Sequence, residues 1–440
     1  MKVVQVHSFN TAYLAGHAAR HPRAREESYE DQFSALMADG FSACHLFACH
    51  LDPQRFEARL IVGNDAATQR QWAKEAGLPE TMSLDDIVRA QIESWQPEVL
   101  YLSDPVTYDS DFIDTLNWRP RVIIGWRAAS IPPQTSWREF DALLSNHSPT
   151  LEEAIRRGAK AAIPFQPGFP RFIADALAAE PEQHDVVFCG SWSAEHATRN
   201  KVWADLAIAC AAARPPIDLH YHLMAAQKGS LPAMVAARDH GPVFGMAMHR
   251  ALKGGRICMN AMIDLGQGMS ANMRLFEIAG TGAFQLMEHH ADIGRFFEPG
   301  REIVTYRDAN EMMAMVRYYL DHPTERLEIA RRGQERCLKE HGMERRAVEF
   351  GELIERLVLE SPADLSFGMI GARKSAQPVA PDPVKEELRE TKKSLKASEK
   401  HSAKLEQKLA SVEQKLASVE RSWVWKFAKP LFALEKKLRG

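Results

Sequence analysis

For some 350 residues this chain repeats one motif: a short apolar run, a longer amphipathic stretch, then another short run. The runs of the first half are Lys2–His7, Phe56–Val62, Val99–Leu102, Val122–Trp126, Ala142–Leu144 and Ala161–Phe165. Between them Glu26–Ala38, Leu84–Ser94 and Leu151–Arg157 carry apolar residues at helical spacing. Alternation of this kind predicts a mainly parallel sheet with helices on both faces. The motif pauses at Pro164-Phe-Gln-Pro-Gly-Phe-Pro170, a rigid stretch suited to joining two domains.

It then resumes. Asp185–Cys189, Ile217–Leu223, Arg256–Asn260, Ala283–Met287 and Ile303–Tyr306 read as strands. Thr198–Ala213, Asn272–Ala279, Ala309–Leu320 and Glu325–Lys339 read as helices, and Met343–Leu359 closes the set. The expected fold class is α/β, with two Rossmann-like domains facing across a cleft. Residues 1–165 form the first, 166–184 the connection and 185–360 the second. Ligands of such layers bind beyond the carboxyl ends of the parallel strands, which here line the cleft. A sugar transferase, a periplasmic-type binding protein and a two-domain dehydrogenase all have this layout. The start, Met1-Lys-Val-Val-Gln-Val-His7, reads as a strand rather than a signal peptide, which disfavours the binding protein. No Gly-x-Gly-x-x-Gly turn follows the first strand, which disfavours the dehydrogenase.

Composition narrows the setting. Six cysteines at irregular spacing, with no Cys-x-x-Cys pair, fit a reduced cytoplasmic protein without zinc or disulfide frameworks. The net charge of −3 is unevenly spread. From Arg373 onward seventeen Lys/Arg stand against nine Asp/Glu, a net +8 that leaves −11 for the body. No basic patch interleaved with aromatics occurs in the body, so nucleic acid is not an expected partner. Residues 361–384 form a Pro-rich linker. Beyond it, Leu388, Leu395, Leu409, Leu416 and Trp423 share one heptad position, and Leu405, Val412 and Val419 share the other. Residues 385–421 are therefore expected to form a coiled coil that makes the protein a homo-oligomer; a lone solvated helix is the alternative. Residues 422–440 mix tryptophan, phenylalanine and leucine with lysine. They suit either peripheral contact with an anionic membrane or packing on protein.

The most informative stretch runs from Ser270 to Met287: Ser-Ala-Asn-Met-Arg-Leu-Phe-Glu-Ile-Ala-Gly-Thr-Gly-Ala-Phe-Gln-Leu-Met. A polar helix start, a short helix, two glycines and a buried strand follow one another. Arg274 and Glu277 are three residues apart and share a helical face. Unpaired N–H groups at a helix start suit a phosphate, and a guanidinium on the first turn adds a matching fork. A carboxylate one turn further on can accept two hydrogen bonds from a vicinal diol such as a ribose. Phosphate and diol together suggest a nucleotide.

Residues 256–350 resemble the nucleotide-sugar-binding half of GT-B glycosyltransferases, in the group-1-like branch that includes CgeB-type proteins. The resemblance rests on Arg-Leu-Phe-Glu-Ile (274–278), Gly-Thr-Gly-Ala-Phe-Gln-Leu (280–286), Phe-Phe-Glu-Pro-Gly-Arg-Glu-Ile-Val-Thr-Tyr (296–306) and the helical run from His322 to Gly333. It implies a nucleotide-diphosphate sugar as co-substrate, no other cofactor and no metal. The acceptor would be a hydroxyl on a glycan, a lipid-linked sugar or a protein, and Glu277 would hold the ribose or donor sugar. Many relatives carry another Glu eight positions earlier, where this chain has Met269.

Around that helix the donor side gathers further candidates. The resemblance makes Gly190-Ser191, after the strand Asp185–Cys189, a turn that lets backbone N–H groups approach a pyrophosphate; an ordinary structural turn is the alternative. Arg199 is either a second phosphate partner or a surface arginine. Asn260 either reaches a sugar hydroxyl or steadies a turn. Asn272 and Gly282, at the two ends of the helix, complete the donor set. His289-His290 either contacts the donor sugar or forms an exposed turn. In the first domain a general base must lie within reach of the acceptor hydroxyl. His7 and His17 are the candidate catalytic residues; His21, His45 and His50 lie near them in sequence. Two other readings stay open: a non-catalytic nucleotide-sugar or glycan-binding scaffold, and a GT-B-fold UDP-sugar epimerase.

Overall fold

A computed structural model describes residues 1–22, 27–193, 196–225, 229–262, 271–361 and 368–369. The expected coiled coil, the basic aromatic tail and Met269 lie outside these residues. Among the described residues no helix is long and apolar enough to cross a membrane.

Six strands form the first sheet: β1 (Lys2–His7), β2 (Glu57–Val62), β3 (Val99–Leu102), β4 (Val122–Trp126), β5 (Ala142–Ser145) and β6 (Ala162–Pro164). Their order is β2-β1-β3-β4-β5-β6, every pairing parallel, with Val3 opposite both Ala58 and Val99. Side-chain alternation explains the apolar runs. Val4, Val6, Leu100 and Leu102 point to one face, where α4 (Leu84–Trp95) packs Val88, Ile92 and Trp95. Val3, Val99, Tyr101 and Val122 point to the other. Strands covered on both sides have no polar face to show. Helices α1 (Thr11–Arg20), α2 (Tyr29–Ala38), α3 (Ala66–Glu75) and α5 (Ser148–Arg156) complete this lobe.

The second sheet has five parallel strands: β7 (His184–Trp192), β8 (Leu219–Ala225), β9 (Gly255–Asn260), β10 (Gln285–Glu288) and β11 (Val304–Tyr306). Their order is β11-β10-β9-β7-β8. Helices α6 (Ala197–Ala212) and α9 (Ala309–Asp321) cover one face through Trp203, Leu206, Met312 and Val316. On the other face Leu252 of α7 (Gly245–Lys253) and Ile278 of α8 (Met273–Thr281) meet Val187, Cys189 and Cys258. The helix α10 (Pro323–Glu340) packs Cys337 beside Phe276 of α8. The molecule is thus α/β with two Rossmann-like layers.

One element departs from the expectation that it closes the second set. Helix α11 (Met343–Glu360) lays Phe350, Leu353, Ile354 and Val358 on the first sheet, against Val3, Tyr101 and Ile124. Burying Phe350 and Ile354 completely stabilises this docking by about 2 kcal/mol each. The exposed Arg55–Glu355 ion pair beside them contributes little. The apolar stripe of α11 is legible in sequence; which sheet receives it is not.

Candidate functional site

The site is built on the start of α8. Asn272 precedes the helix in extended conformation and its Oδ1 accepts from Leu275 N at 2.9 Å. Its amide also reaches back: Asn272 Nδ2 donates to Asn260 Oδ1 at 2.9 Å, and Asn260 Nδ2 donates to Asn272 Oδ1 at 3.2 Å. A part-buried amide pair therefore ties the carboxyl end of β9 to the N-cap of α8, and the cap satisfies a helix N–H that would otherwise be orphaned. The two glycines further on have structural causes. A Cβ on Gly280 would stand 2.3 Å from the Phe169 ring. Gly282 closes the helix at φ 73°, and a Cβ there would stand 2.9 Å from Gln334. Gly282 thus sits at the opposite end of α8 from Asn272, outside the group of donor candidates.

Arg274 and Glu277 face the same way, as their spacing requires, and they hold each other. Arg274 Nη1 lies 2.8 Å from Glu277 Oε2 and 2.9 Å from Met248 Sδ. The side chains are 19% and 7% exposed. The pair is close but off hydrogen-bond alignment, so Glu277 Oε2 accepts no hydrogen bond among the described residues. Only Nη1 of the guanidinium has a partner among those residues, so its other N–H groups remain to meet an anion. The surroundings carry little charge. Burial pushes the Cys189 thiol, at the carboxyl end of β7, up to about 12, with smaller effects from Arg274 and Glu277. Burial raises Cys44 as well, reinforced by Glu277. His249 on α7 is lowered to about 4 by burial, against the pull of Glu277. Around the ion pair these groups are neutral at pH 7.

The first lobe reaches the same helix. His45 Nε2 lies 2.6 Å from the sulfur of Met273, the first residue of α8. Asn146, just past β5, donates from Nδ2 to Ala271 O at 2.9 Å. Burial lowers the His45 pKa to about 3, helped by neighbouring His7. Of the candidate bases, His7 ends β1 with both ring nitrogens engaged: Nδ1 is 2.8 Å from Ser103 Oγ and Nε2 is 3.0 Å from Ser42 Oγ. Burial lowers its pKa to about 4. His17, on α1, instead lines a cavity of about 590 Å³ with His21, Gln32, Asn64 and Asp65. Its Nε2 has no hydrogen-bond partner among the described residues. Burial lowers its pKa, with a contribution from His21. Sequence reasoning did not name His249 or Asn146, and it named His45 only as a neighbour of His7 and His17. All three lie outside any motif and reach α8 only through the tertiary fold.

The remaining candidates separate. Gly190 and Ser191 do not form the expected turn; they continue β7 and pair with Leu223 and Met224 of β8. They lie at the carboxyl end of the sheet, just past Cys189. Arg199 is buried, and its Nη2 donates to Ser191 O at 2.6 Å and to Ser191 Oγ at 3.2 Å. It braces that strand end rather than sitting on the surface. His289 follows β10, with Nδ1 3.3 Å from Thr305 Oγ1. The chain contains one Asp-x-Asp, the spacing used by metal-dependent sugar-transfer sites, at Asp109-Ser-Asp111. Here it serves the backbone. Asp109 accepts from Asp111 N at 2.9 Å and Ser136 N at 3.1 Å, and Asp111 pairs with Arg138 at 3.2 Å.

Comparison with known proteins bears on this geometry. Residues 170–352 match the family described as glycosyl transferase-like. Among solved structures, Anabaena HepE in complex with UDP-glucose aligns at TM-score 0.49 and 11% identity, over 81% of this chain and all of that one. Sucrose-phosphate synthase from Thermosynechococcus elongatus aligns at 0.46 and 11%, over 82% of this chain and all of that one. The structure of TarM from S. aureus aligns at 0.44 and 8%, over 63% of this chain and 59% of that one. No curated protein matches the chain in sequence. The matched residues 170–352 include the capped helix α8 and its ion pair, and over that span the chain is similar to the glycosyl transferase-like family.

Proposed function

We propose that the chain is a glycosyltransferase that moves a sugar from a nucleotide-diphosphate donor to a hydroxyl acceptor in cell-surface or secreted glycan synthesis. The observation that carries this reading is the buried Arg274–Glu277 pair on the capped start of α8, inside the matched family region and against the first lobe. Arg274 supplies N–H donors and fixed positive charge for the diphosphate, and the helix start adds partial positive charge. Glu277 fixes the guanidinium, and its carboxylate would accept from a donor hydroxyl once the donor is bound. Because both are held before substrate arrives, charge developing on the leaving diphosphate meets a preorganised cation. No metal is needed at that point. Asn260 and Asn272 hold the helix start, while Arg199 and Ser191 brace the neighbouring strand end.

The first lobe would bind the acceptor, with His17, whose buried Nε2 has no hydrogen-bond partner among the described residues, as the candidate general base. Its lowered pKa keeps it in the basic form at pH 7. The enzyme would work in the cytoplasm, with residues 385–421 joining copies of the chain and 422–440 touching the membrane that carries the acceptor. Thermal unfolding with nucleotides and nucleotide sugars tests the donor site, since a ligand at 100 times its Kd stabilises by about 2.7 kcal/mol. One nucleotide class should shift wild type and fail to shift Arg274→Ala; no shift with any of the UDP, GDP, ADP, dTDP or CMP series would refute the reading. A binding scaffold is the second reading, favoured by the engagement of both His7 nitrogens. Binding without transfer or hydrolysis would support it.

A further inference from the structure

A separate group of ionisable side chains occupies the other end of the second sheet. His184 opens β7, Asp218 immediately precedes β8 and His220 is the second residue of β8. Parallel pairing brings Val186 opposite Leu219, so the two strand starts lie side by side. Parallel strands that place Gly190, Ser191 and Asn260 at their carboxyl ends place these three residues at the amino ends. The cluster is therefore remote from α8 and takes no part in the donor site.

Its ligand atoms lie close together. His184 Nδ1 is 3.0 Å from Asp218 Oδ2, and His220 Nε2 is 2.9 Å from Asp218 Oδ1. One ligand atom from each residue falls within 4.8 Å of the others, the one such group among the described residues. Zinc bonds to imidazole nitrogen and carboxylate oxygen run about 2.0–2.2 Å, which sets tetrahedral ligand atoms about 3.4 Å apart. The carboxylate–imidazole distances need open by a few tenths of an ångström. The His184 and His220 rings stack with centroids 3.5 Å apart and planes 24° from parallel, so one ring must also turn for both nitrogens to meet one ion in place of the N–H protons. Positioning is already supplied. The Asp218 backbone N–H donates to Asp185 Oδ2 at 3.0 Å, and Asp185 pairs with Arg256 at 2.7 Å. His240 stacks on His220 with ring centroids 4.2 Å apart, and its own backbone N–H donates to Tyr221 O at 2.8 Å. The side chains of His184, Asp218 and His220 are 30%, 52% and 18% exposed, which leaves a path for the ion and room for a water.

Two imidazoles and one carboxylate select borderline-soft ions over magnesium or calcium, which prefer oxygen sets. We propose that His184, Asp218 and His220 bind one zinc-type divalent transition ion, with water completing a four-coordinate site. The ion fastens the starts of β7 and β8 together and supplies no chemistry to sugar transfer. The inference stands independently of the transferase reading.

The test uses the full chain, stripped of metal, in a Cys49→Ser background that removes the exposed thiol. Zinc sulfate is titrated by calorimetry and by dialysis with elemental analysis. One equivalent should bind, and zinc but not magnesium should raise the unfolding temperature. Asp218→Asn and His220→Gln should each weaken zinc binding at least about tenfold, as loss of a ligand exceeds loss of its supporting contacts. Cobalt(II) in the Cys49→Ser chain with all three ligands intact gives a readout independent of their substitution: intense visible absorption from a four-coordinate site is expected. No zinc bound at the site, equal zinc affinity in the ligand variants, or the weak spectrum of six-coordinate cobalt would each overturn the proposal.

Discussion

The two lobes meet at α8 with unlike chemistry. The second brings an ionised pair, Arg274 and Glu277, held 2.8 Å apart. The first brings imidazoles that burial keeps neutral, with pKa values near 4 for His7 and near 3 for His45. Fixed charge therefore comes from one side, and neutral hydrogen-bonding groups come from the other. The contrast also ranks the histidines. His7 is fully engaged by two serine hydroxyls, whereas His17 lines a cavity and its buried Nε2 has no hydrogen-bond partner among the described residues.

The sharpest way to break this contrast is to remove one member of the ion pair. Glu277→Ala leaves a buried guanidinium without its partner and should cost about 3–5 kcal/mol in denaturant unfolding. Nucleotide binding should fall with it. Glu277→Gln keeps the shape without the charge, so it separates donor recognition from folding. If Glu277→Gln retains wild-type donor affinity and turnover, the charge has no role in the site.

Acid titration probes the neutral side. A histidine whose folded pKa lies below its unfolded value of about 6.5 takes up its proton mainly on unfolding, so the unfolded state binds more protons below pH 6.5. Stability should be level above pH 7 and fall as pH drops from about 6.5 toward 4, by on the order of 3 kcal/mol for His7. Unfolding midpoints measured across that window should fall less steeply for His7→Asn. An unchanged slope would mean that His7 is not kept neutral by burial.

Smaller effects sharpen the comparison within α8 itself. Asn272→Ala removes the N-cap and should cost about 1 kcal/mol, with weaker nucleotide binding because the helix start loosens. Gly282→Ala strains the left-handed cap at the other end and should also cost about 1 kcal/mol. Its nucleotide affinity should match wild type. Equal loss of affinity in both variants would show that the two ends of the helix are not functionally distinct.

Much of this was legible in sequence. β1, β3 and β4 lie where their apolar runs predict, because strands buried on both faces leave no ambiguity of period. The start of α8 was legible because an asparagine cap and a charged i, i+3 pair are local signals. What escaped depended on tertiary contact. α1 and α7 were not anticipated, and α7 carries His249 into the site. His45 looked like one imidazole among several until the fold brought it to Met273. Gly190 suggested a turn because glycine allows one, yet pairing with β8 carries the strand through to Trp192. The cluster at His184, Asp218 and His220 is spread over 37 positions and becomes a group only when β7 and β8 pair.

The central claim is that Arg274 recognises the diphosphate of an activated sugar. Calorimetric titration of the full chain with nucleoside diphosphates, wild type against Arg274→Lys, tests it most directly. Lysine keeps the charge but loses the planar fork. The account predicts saturable binding of one diphosphate by wild type and at least about tenfold weaker binding by the variant, the equivalent of 1.4 kcal/mol. Equal affinity in the two proteins, or no binding by wild type, would contradict it.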